Sequence, residues 1–545
     1  MRPALLLPAL AATLLAAALT LPAAAQPTIP EPPVRYDTDL LPASFHADRR
    51  ARLAAELPSD AAVLVFSNPA RTRENDVGYS YRQNSSLYYL TGTHEPESAL
   101  LLVPGGVDVD GQRVTEVLLA PDRNAFTETW VGRRFGPERA QRELGVERAV
   151  SNSRLGELLR RVRADGRRIH IEPLPQGVEP GGLAAQLDTL RRYATVPVVT
   201  GNGYVRQAMG MILSVNDAEG FARAQRIASG RVRASDFTDP LLRDAAAAFL
   251  AAPDFGAWQR WKAEHMAGVA DVAALPRTLA QLRAVKTPEE MRLMRRAVNA
   301  SVAGHVEMMR STESGMTEND VQAIGEYVFR RHGSEAVGYG SIVGAGENST
   351  ILHYVDNRRT IQDGDLVLVD MGAEYHGYTA DVTRTFPANG RFTPEQKAIY
   401  DLVLAAQQAG IEACRPGQPF TAPGQAATRV IAQGLRQLGL IRTDEDVRNF
   451  FMHGTSHYLG LFVHDVGDYG ALAPGMVLTV EPGIYIKPSP NVDPKWWNIG
   501  VRIEDDILVT DGAPENLSVG APRTTDAIEA LMQQRGVGNA TFERR

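Results

Sequence analysis

The sequence has a single cysteine, Cys414, among its 545 residues. One cysteine cannot form an internal disulfide, so packing, with or without bound metal, has to stabilise the fold. An excess of basic residues is also missing, because 57 lysines and arginines stand against 64 acidic residues and give a net charge of −7. That charge gives no reason to expect nucleic acid as a partner. Hydrophobic residues (44%) and charged residues (22%) occur in ordinary globular proportions, which argues against wholesale disorder and allows two or three domains.

A long apolar run, rich in alanine and leucine, lies at Ala4–Leu21. Ala23 and Ala25 then fit the small-x-small rule for signal-peptide cleavage, with Gln26 as the new N-terminus. We therefore expect a signal peptide over residues 1–25 and an exported protein, periplasmic or secreted. A retained membrane anchor is the alternative, since the run is almost long enough to span a bilayer. The cleavage site favours export, so no stable membrane anchor is expected.

Three parts follow the signal peptide. Residues 26–202 alternate short β-type runs, such as "AAVLVF", "SALLLV" and "TEVLLA", with amphipathic helices, which is typical of an α/β domain. Residues 203–280 are more helical and polar, and we interpret them as a helical insertion or linker. Residues 281–545 contain two strong helix starts, "KTPEE" and "TPEQ", with Thr287 and Thr393 as N-caps before a proline. Each start leads through helices into a β-rich stretch, an order compatible with two similar halves.

The stretch "DMGAEYHGYTAD", from Asp370 to Asp381, lies between two strand-like runs. If Tyr375 and His376 form the turn of a hairpin, Asp370 pairs directly with Asp381, and their Cβ atoms lie roughly 4.5–5.5 Å apart. Two carboxylates at that distance repel each other unless a cation or a shared proton holds them. The alternative is an exposed hairpin whose aspartates are solvated turn residues.

Three later stretches are apolar runs interrupted by ionisable residues: "FFMHGTSHYLGLFVHDVG", "GMVLTVEPGIYI" and "GVRIEDDILVT". In the last, a period of two puts Arg502, Glu504 and Asp506 on one face of a strand. His453 and His457 have the spacing of a zinc-binding helix. The residues between them are poor helix formers, so a helical zinc-protease motif is a poor fit.

Taken together, these stretches supply four carboxylates and one imidazole, namely Asp370, Asp381, His457, Glu481 and Glu504. Burying that much negative charge without cations would cost more free energy than a domain can supply. Two divalent ions about 3.5–4 Å apart, sharing bridging carboxylates, would compensate it. Oxygen-rich ligation with one histidine suits Mn²⁺ best, with Co²⁺, Fe²⁺ or Zn²⁺ as alternatives.

The order "LVDMGAEYHGYTADVTRTF", "HGTSHYLGLFVHDVG", "TVEPGIYI" and "GVRIEDDILVT" closely resembles the pita-bread metallopeptidases, specifically the Xaa-Pro aminopeptidases (aminopeptidase P). The stretches "NDVGYSYRQNSSLYYLTGTHEPESALLL" and "WVGRRFG" resemble the N-terminal domain of that family. The resemblance implies an α/β N-terminal domain over residues 26–202 and an α+β pita-bread catalytic domain over residues 281–545. The helical segment between them departs from the compact members of the family.

The resemblance also implies roles for individual residues. Asp381 and Glu504 would bridge the two metal ions, and all five residues of the carboxylate and histidine set would be ligands. The predicted catalytic residues are Glu481, His464, His353 and His453. The predicted substrate-binding residues are His353, His464, Tyr485 (just past Glu481) and Arg502.

We therefore expect a dimetal exopeptidase that releases the N-terminal residue from peptides with proline in second position, and a homo-oligomer as its assembly. A prolidase, which cleaves Xaa-Pro dipeptides, is the alternative within enzymes. A non-catalytic protein that keeps the fold for peptide binding is the alternative outside them. The intact ligand set favours an enzyme, and a methionine aminopeptidase fits worse because it would lack the large N-terminal domain.

Overall fold

The structure is a computed structural model that describes residues 38–175, 177–198 and 203–541. The predicted signal peptide and the cleavage site before Gln26 lie outside these residues. Across the described part of the chain, the helices are all too short or too polar to cross a membrane.

The N-terminal part contains a five-stranded sheet flanked by helices. Its elements are α1 (Ala43–Ala55), β1 (Ala61–Phe66), β2 (Thr72–Glu74), β3 (Val77–Gly78), α2 (Ser85–Thr91), β4 (Ala99–Val109), β5 (Gln112–Ala120), α3 (Ala125–Val131), α4 (Gly136–Leu144), β6 (Arg148–Ser151), α5 (Leu155–Ala164), β7 (Arg168–Ile171) and α6 (Gly182–Tyr193). The strand order is β6-β5-β4-β1-β7. The central strand β4 is antiparallel to β1 and β5, whereas β6 and β7 run parallel to their neighbours.

Strand β1 is a continuous apolar run because both faces of the sheet are covered. Leu64 and Phe66 pack with the side chains of α5 and α6. Val63 and Val65 point to the other face, where they pack with α1 and α2. Burial of successive residues on opposite faces removes the polar alternation of a half-exposed strand.

The helical insertion has an apolar core of its own, which includes Phe221, Phe249 and Trp258. Its helices are α7 (Gly203–Ser214), α8 (Ala218–Ser229), α9 (Pro240–Ala251) and α10 (Phe255–His265). After α10 the chain returns to the N-terminal sheet, where Asp271 forms a parallel bridge with His170 next to β7. Within the predicted segment 203–280, helices α7 to α10 surround this core, whereas Val269 and Asp271 bridge to residues of the N-terminal domain.

The C-terminal part begins after α11 (Ala274–Ala284). Its elements are α12 (Pro288–Ser311), α13 (Glu318–Arg331), β8 (Ala336–Val337), β9 (Ile342–Ala345), β10 (Leu366–Asp370), β11 (Ala373–Tyr375), β12 (Tyr378–Thr379), β13 (Thr383–Pro387), α14 (Pro394–Glu412), α15 (Ala422–Gln437), β14 (Val477–Val480), β15 (Gly483–Ile486), β16 (Ile499–Arg502), β17 (Asp505–Leu508), β18 (Glu515–Asn516), α16 (Thr525–Leu531) and α17 (Val537–Thr541). Two helices followed by antiparallel strands occur twice, first with α12 and α13 and then with α14 and α15.

The two predicted helix starts are confirmed. Thr287 and Thr393 are the N-caps of α12 and α14, and each side chain accepts a hydrogen bond within a capping box. Apolar residues of these helices, such as Met308 and Val403, belong to the same buried cluster as Val367 of β10. This packing covers the strands from the helical side.

A second apolar cluster, here called the interdomain core, joins the two parts of the chain. It contains Phe45 of α1 and Leu87 of α2 from the N-terminal part, together with Leu293 of α12, Leu461 and Val463 from the C-terminal part. The loop that carries Leu461 and Val463 also carries His464. The N-terminal part therefore packs directly behind one of the predicted catalytic residues.

Candidate metal centre

The hairpin that carries the two aspartates turns one residue later than predicted. Its turn residues are His376 and Gly377, with φ of 47° and 79°, as a two-residue hairpin turn with two left-handed residues requires. Asp370 consequently pairs with Thr383, and the predicted direct pairing of Asp370 with Asp381 is wrong. The register is displaced by two positions, which keeps both aspartates on the same face.

The two aspartates meet at the hydroxyl of Tyr339. Its oxygen lies 2.6 Å from Asp370 Oδ1 and 2.5 Å from Asp381 Oδ1. Asp370 ends β10, and Asp381 lies between β12 and β13. The carboxylates therefore converge although the residues are not directly paired.

The other three predicted ligands lie around Asp381. Ligand atoms of Asp381, His457 and Glu504 are all within 4.8 Å of one another. His457 Nε2 is 3.4 Å from Asp381 Oδ2 and 3.7 Å from Glu481 Oε1. The structure thus brings together the five residues proposed as ligands from the sequence.

Backbone hydrogen bonds between separate segments hold these side chains in place. The loop with His457 pairs with β14, since the Thr479 N–H donates to the His457 carbonyl (3.0 Å) and the Glu481 N–H to the Thr455 carbonyl (2.9 Å). Glu504 lies between β16 and β17, and its N–H donates to the carbonyl of Thr383 (3.1 Å). The site is therefore formed where strand ends from both halves meet.

Burial and mutual repulsion disfavour the charged forms of these carboxyl groups. Burial, followed by the charge of Asp370, raises the pKa of Asp381. Burial, followed by the charge of Asp381, raises the pKa of Glu504 well above its usual value. Burial also raises the pKa of Glu481 to about 7. Burial lowers the pKa of His457, but the hydrogen bond to Asp381 and the charges of Asp381 and Glu481 together outweigh burial and raise that pKa to about 9.

This donor set fits divalent metal ions. The oxygens of Asp370, Asp381, Glu481 and Glu504 and one histidine nitrogen form an oxygen-rich set that hard or borderline cations prefer. Cations bound there would reverse the repulsion that raises the carboxyl pKa values.

A chain of hydrogen bonds runs from Asp370 to His453. Arg502 Nη2 donates to Asp370 Oδ2 (2.6 Å), and Arg502 Nη1 donates to the Tyr485 hydroxyl (3.0 Å). That hydroxyl is 2.8 Å from His453 Nε2. Burial, the charge of Arg502 and that of His353 lower the pKa of His453 to about 4. Arg502 and Tyr485, proposed from sequence as substrate-binding residues, are 3% and 1% exposed, and both side chains form hydrogen bonds with other residues of the site.

His464 and His353 are exposed, in contrast to the buried or half-buried ligand set. The ring of His464 lies 4.4 Å from the ring of His457, at an angle of 80°. Desolvation and the charges of His457 and His353 lower the pKa of His464 to about 4. Together with His453 and His457, these two histidines form one group beside the carboxylates.

Sequence reasoning missed Tyr339 and Thr383. Thr383 Oγ1 donates to Glu504 Oε2 (2.6 Å), and its place two residues after Asp381 on a strand was a usable signal for a shared face. Tyr339 precedes β9 and is far from any ionisable cluster in the sequence. Only the folded structure places its hydroxyl between the aspartates.

Comparisons with known proteins agree with this arrangement. The profile of metallopeptidase family M24 matches residues 292–511, and that of the aminopeptidase P N-terminal domain matches residues 46–170. An Xaa-Pro aminopeptidase of Escherichia coli is 34% identical over 89% of this chain and 96% of its own length. The chain belongs to the Xaa-Pro aminopeptidase family. It accordingly has the predicted α/β N-terminal domain and α+β pita-bread catalytic domain, and it is an enzyme of the metallo-aminopeptidase class with a divalent metal cofactor.

Solved structures from this family show the same fold over nearly the whole chain. E. coli aminopeptidase P with the inhibitor Pro-Leu matches with a TM-score of 0.70 and 33% identity, covering 90% of this chain and 98% of that one. A zinc-substituted E. coli aminopeptidase P in complex with product matches with the same TM-score, identity and coverage. The similarity therefore extends over both domains.

Proposed function

We propose that this protein is an Xaa-Pro aminopeptidase, a metal-dependent exopeptidase that releases the N-terminal residue from peptides with proline in second position. The observation that carries the proposal is the convergence of four carboxylates and His457 beside the exposed His353 and His464. A chain that spans nearly the full length of its relatives and keeps this set supports catalysis over peptide binding alone.

We propose two divalent ions per chain, with Mn²⁺ as the best match to the ligand set, held by Asp370, Asp381, His457, Glu481 and Glu504. Bound divalent ions supply a Lewis acid that polarises a carbonyl and makes water nucleophilic at neutral pH. No serine or cysteine nucleophile is needed for that chemistry. Asp381 and Glu504 would bridge the two ions, as the family resemblance implies, and their grouping with His457 within 4.8 Å supports this.

The remaining roles in the site are proton transfer and orientation. Glu481 is the proposed proton carrier, since one oxygen of its carboxyl group lies 3.7 Å from His457 Nε2 and the other 3.6 Å from His453 Nδ1. His464 is the proposed donor to the oxygen that gains negative charge on the scissile carbonyl, and His353 the proposed residue that orients the substrate near proline. Arg502 and Tyr485 orient Asp370 and His453 through the hydrogen-bond chain.

Proline in second position restricts how the substrate is held. Its nitrogen carries no hydrogen and its ring fixes φ, so the site needs a shaped slot and cannot rely on a backbone donor there. An aminopeptidase leaves space beyond proline for a longer peptide, whereas a prolidase must close on the proline carboxylate. The N-terminal domain matched by the aminopeptidase P profile supports the open form.

A comparison of three substrate types tests the proposal. We expect hydrolysis of Xaa-Pro-Yaa and longer peptides, with release of the first residue only, and poor hydrolysis of the control Xaa-Ala-Yaa. Hydrolysis restricted to Xaa-Pro dipeptides would identify a prolidase instead. No hydrolysis of any of these peptides by metal-loaded protein would contradict both assignments.

Export and oligomerisation are further parts of the proposal. The apolar run before Ala23 and Ala25 supports removal of residues 1–25, and sequencing of the mature N-terminus would check it. A mature chain that begins at Met1 in the cytoplasm would contradict export. We propose a homo-oligomer, for which the mass in solution by light scattering is the measurement.

A further inference from the structure

The loop that carries His464 is held at its start by the N-terminal domain. The carbonyl of Leu461 accepts hydrogen bonds from Arg82 Nη2 (2.5 Å) and from the Ser85 hydroxyl (2.8 Å). The Arg82 guanidinium also lies over the ring of Phe462, 6.0 Å from its centroid. Two side chains from one turn of the N-terminal domain thus bind the backbone three residues before His464.

The same loop is held at its end by a buried ion cluster. Asp465, directly after His464, pairs with Arg283 and with Lys286, whose Nζ is 3.4 Å from Asp465 Oδ2. All three side chains are at most 5% exposed. Arg283 Nη1 also donates to Ser86 Oγ at 3.3 Å. The start of the His464 loop is therefore fixed by the N-terminal domain, and its end by basic side chains from the junction between α11 and α12.

Arg82 connects this loop to the hairpin of the metal centre. Its Nε donates to Glu374 Oε2 (2.8 Å), and its Nη2 lies 3.4 Å from the carbonyl of Gly377. Glu374 and Gly377 belong to the turn region between Asp370 and Asp381. One guanidinium therefore binds both the loop of His464 and the hairpin that carries two proposed metal ligands.

We propose that Arg82 is a positioning residue for catalysis, which sets the distance between His464 and the metal-binding hairpin. The proposal rests on the proposed function, in which His464 acts on the scissile carbonyl. Because His464 is exposed, its place depends on the backbone of its loop. A planar guanidinium can bind a carboxylate and two carbonyls together, which a lysine ammonium cannot do in the same geometry. The proposal also assigns a role to the motif "YRQNSSLYYLTG", which contains Arg82, Ser85 and Ser86.

The test is a double-mutant cycle on the metal-loaded, full-length enzyme with an Xaa-Pro-Yaa tripeptide. Arg82→Lys should lower kcat about tenfold, since small misplacement of a catalytic group has effects of this size or larger. KM and metal content should change little. In the His464→Ala background, measured at enzyme concentrations that resolve its residual rate, Arg82→Lys should cause no further fall.

Arg295→Lys is the matched control, because Arg295 forms a bidentate ion pair with Glu515, with hydrogen bonds of 2.6 and 2.8 Å. We expect its kcat to equal that of the parent. Should Arg82→Lys fail to fold, Ser85→Ala removes one hydrogen bond to Leu461 and should lower kcat about threefold, again only when His464 is present.

If the fold-reductions in kcat of Arg82→Lys and His464→Ala multiply in the double variant, the positioning role is wrong. It is also wrong if Arg82→Lys and Ser85→Ala both keep the kcat of the parent. Parental kcat in His464→Ala would overturn it too, since Arg82 would then have no catalytic group to position. A parent enzyme that does not cleave the tripeptide at all would instead contradict the proposed function, so the two failures are distinguishable.

Discussion

At the scale of single residues, Tyr339 shows why the two aspartates need cations. Its hydroxyl has one proton and lies within hydrogen-bonding distance of both Asp370 and Asp381. One proton cannot satisfy two carboxylates at once. Arg502 compensates Asp370 at 2.6 Å, whereas Asp381 faces Glu504 and His457. His457 is shared by Asp381, Glu481 and Glu504, so a metal ion beside Asp381 would supply the further positive charge that these carboxylates need.

Tyr339→Phe should therefore lower the free energy of unfolding more in chelated protein than in metal-loaded protein. We expect the free energy of unfolding to fall by about 2 kcal/mol after chelation, the range for a hydrogen bond to a charged group. The loss should be smaller with metal bound, because the ions then compensate the carboxylates. Denaturant unfolding of both forms measures the difference.

Tyr354→Phe is the control, since its hydroxyl donates to Glu318 Oε2 (2.9 Å), a carboxylate outside the ligand set. Tyr354→Phe should lower the free energy of unfolding by the same amount with and without metal. If Tyr339→Phe lowers the free energy of unfolding equally in the two forms, the metal ions do not compensate the carboxylates that this hydroxyl binds.

At the scale of elements, the turn at His376–Gly377 decides where Asp370 and Asp381 lie. Gly377 has φ of 79°, and a Cβ there would lie 3.3 Å from Leu461 Cδ2 and 3.5 Å from Tyr88 Cε1. The turn thus packs against the loop of His464 and against the N-terminal domain. A side chain at this position would disturb both the turn and its packing.

Gly377→Ala should lower stability by about 1–2 kcal/mol and also lower metal content and kcat. Gly364→Ala is a matched control, because Gly364 has φ of 81° and a Cβ there would have, apart from its chain neighbours, no described atom within 4 Å. We expect a similar loss of stability from Gly364→Ala with metal content unchanged. Metal content by elemental analysis separates the two, and equal metal content in both variants would show that the turn does not position the ligands.

Local signals predicted several elements correctly from the sequence. Thr287 and Thr393 are N-caps because each forms its capping box within four residues, and such short-range chemistry can be read directly. The predicted hairpin register was wrong because His376, which is not a glycine, adopts a positive φ and moves the turn by one residue. The candidate ligands were recognisable because carboxylates that interrupt apolar strands are conspicuous.

Long-range contacts could not be predicted in the same way. Arg82 and Leu461 are 379 positions apart, and Arg502 and Asp370 are 132 apart. Nothing in the periodicity of either segment indicates its partner, because the partner is chosen by how separate elements pack. The bridge between His170 and Asp271 could not be predicted for the same reason, since it joins two distant parts of the chain.

At the scale of the whole molecule, two domains share one apolar core behind the metal centre. Phe45 and Leu87 of the N-terminal domain and Leu461 of the catalytic domain belong to the interdomain core. The helical insertion keeps a separate core around Trp258. This organisation places the metal ligands in the catalytic domain and part of their support in the N-terminal domain.

Chelation followed by reconstitution shows whether the clustered carboxylates hold divalent metal for Xaa-Pro cleavage. We expect chelated protein to lose hydrolysis of Xaa-Pro-Yaa and to regain it with Mn²⁺, reaching two ions per chain. Asp381→Ala should bind less metal and stay inactive under the same treatment. Full activity in metal-free protein, or in Asp381→Ala, would show that cleavage does not depend on metal bound by these carboxylates.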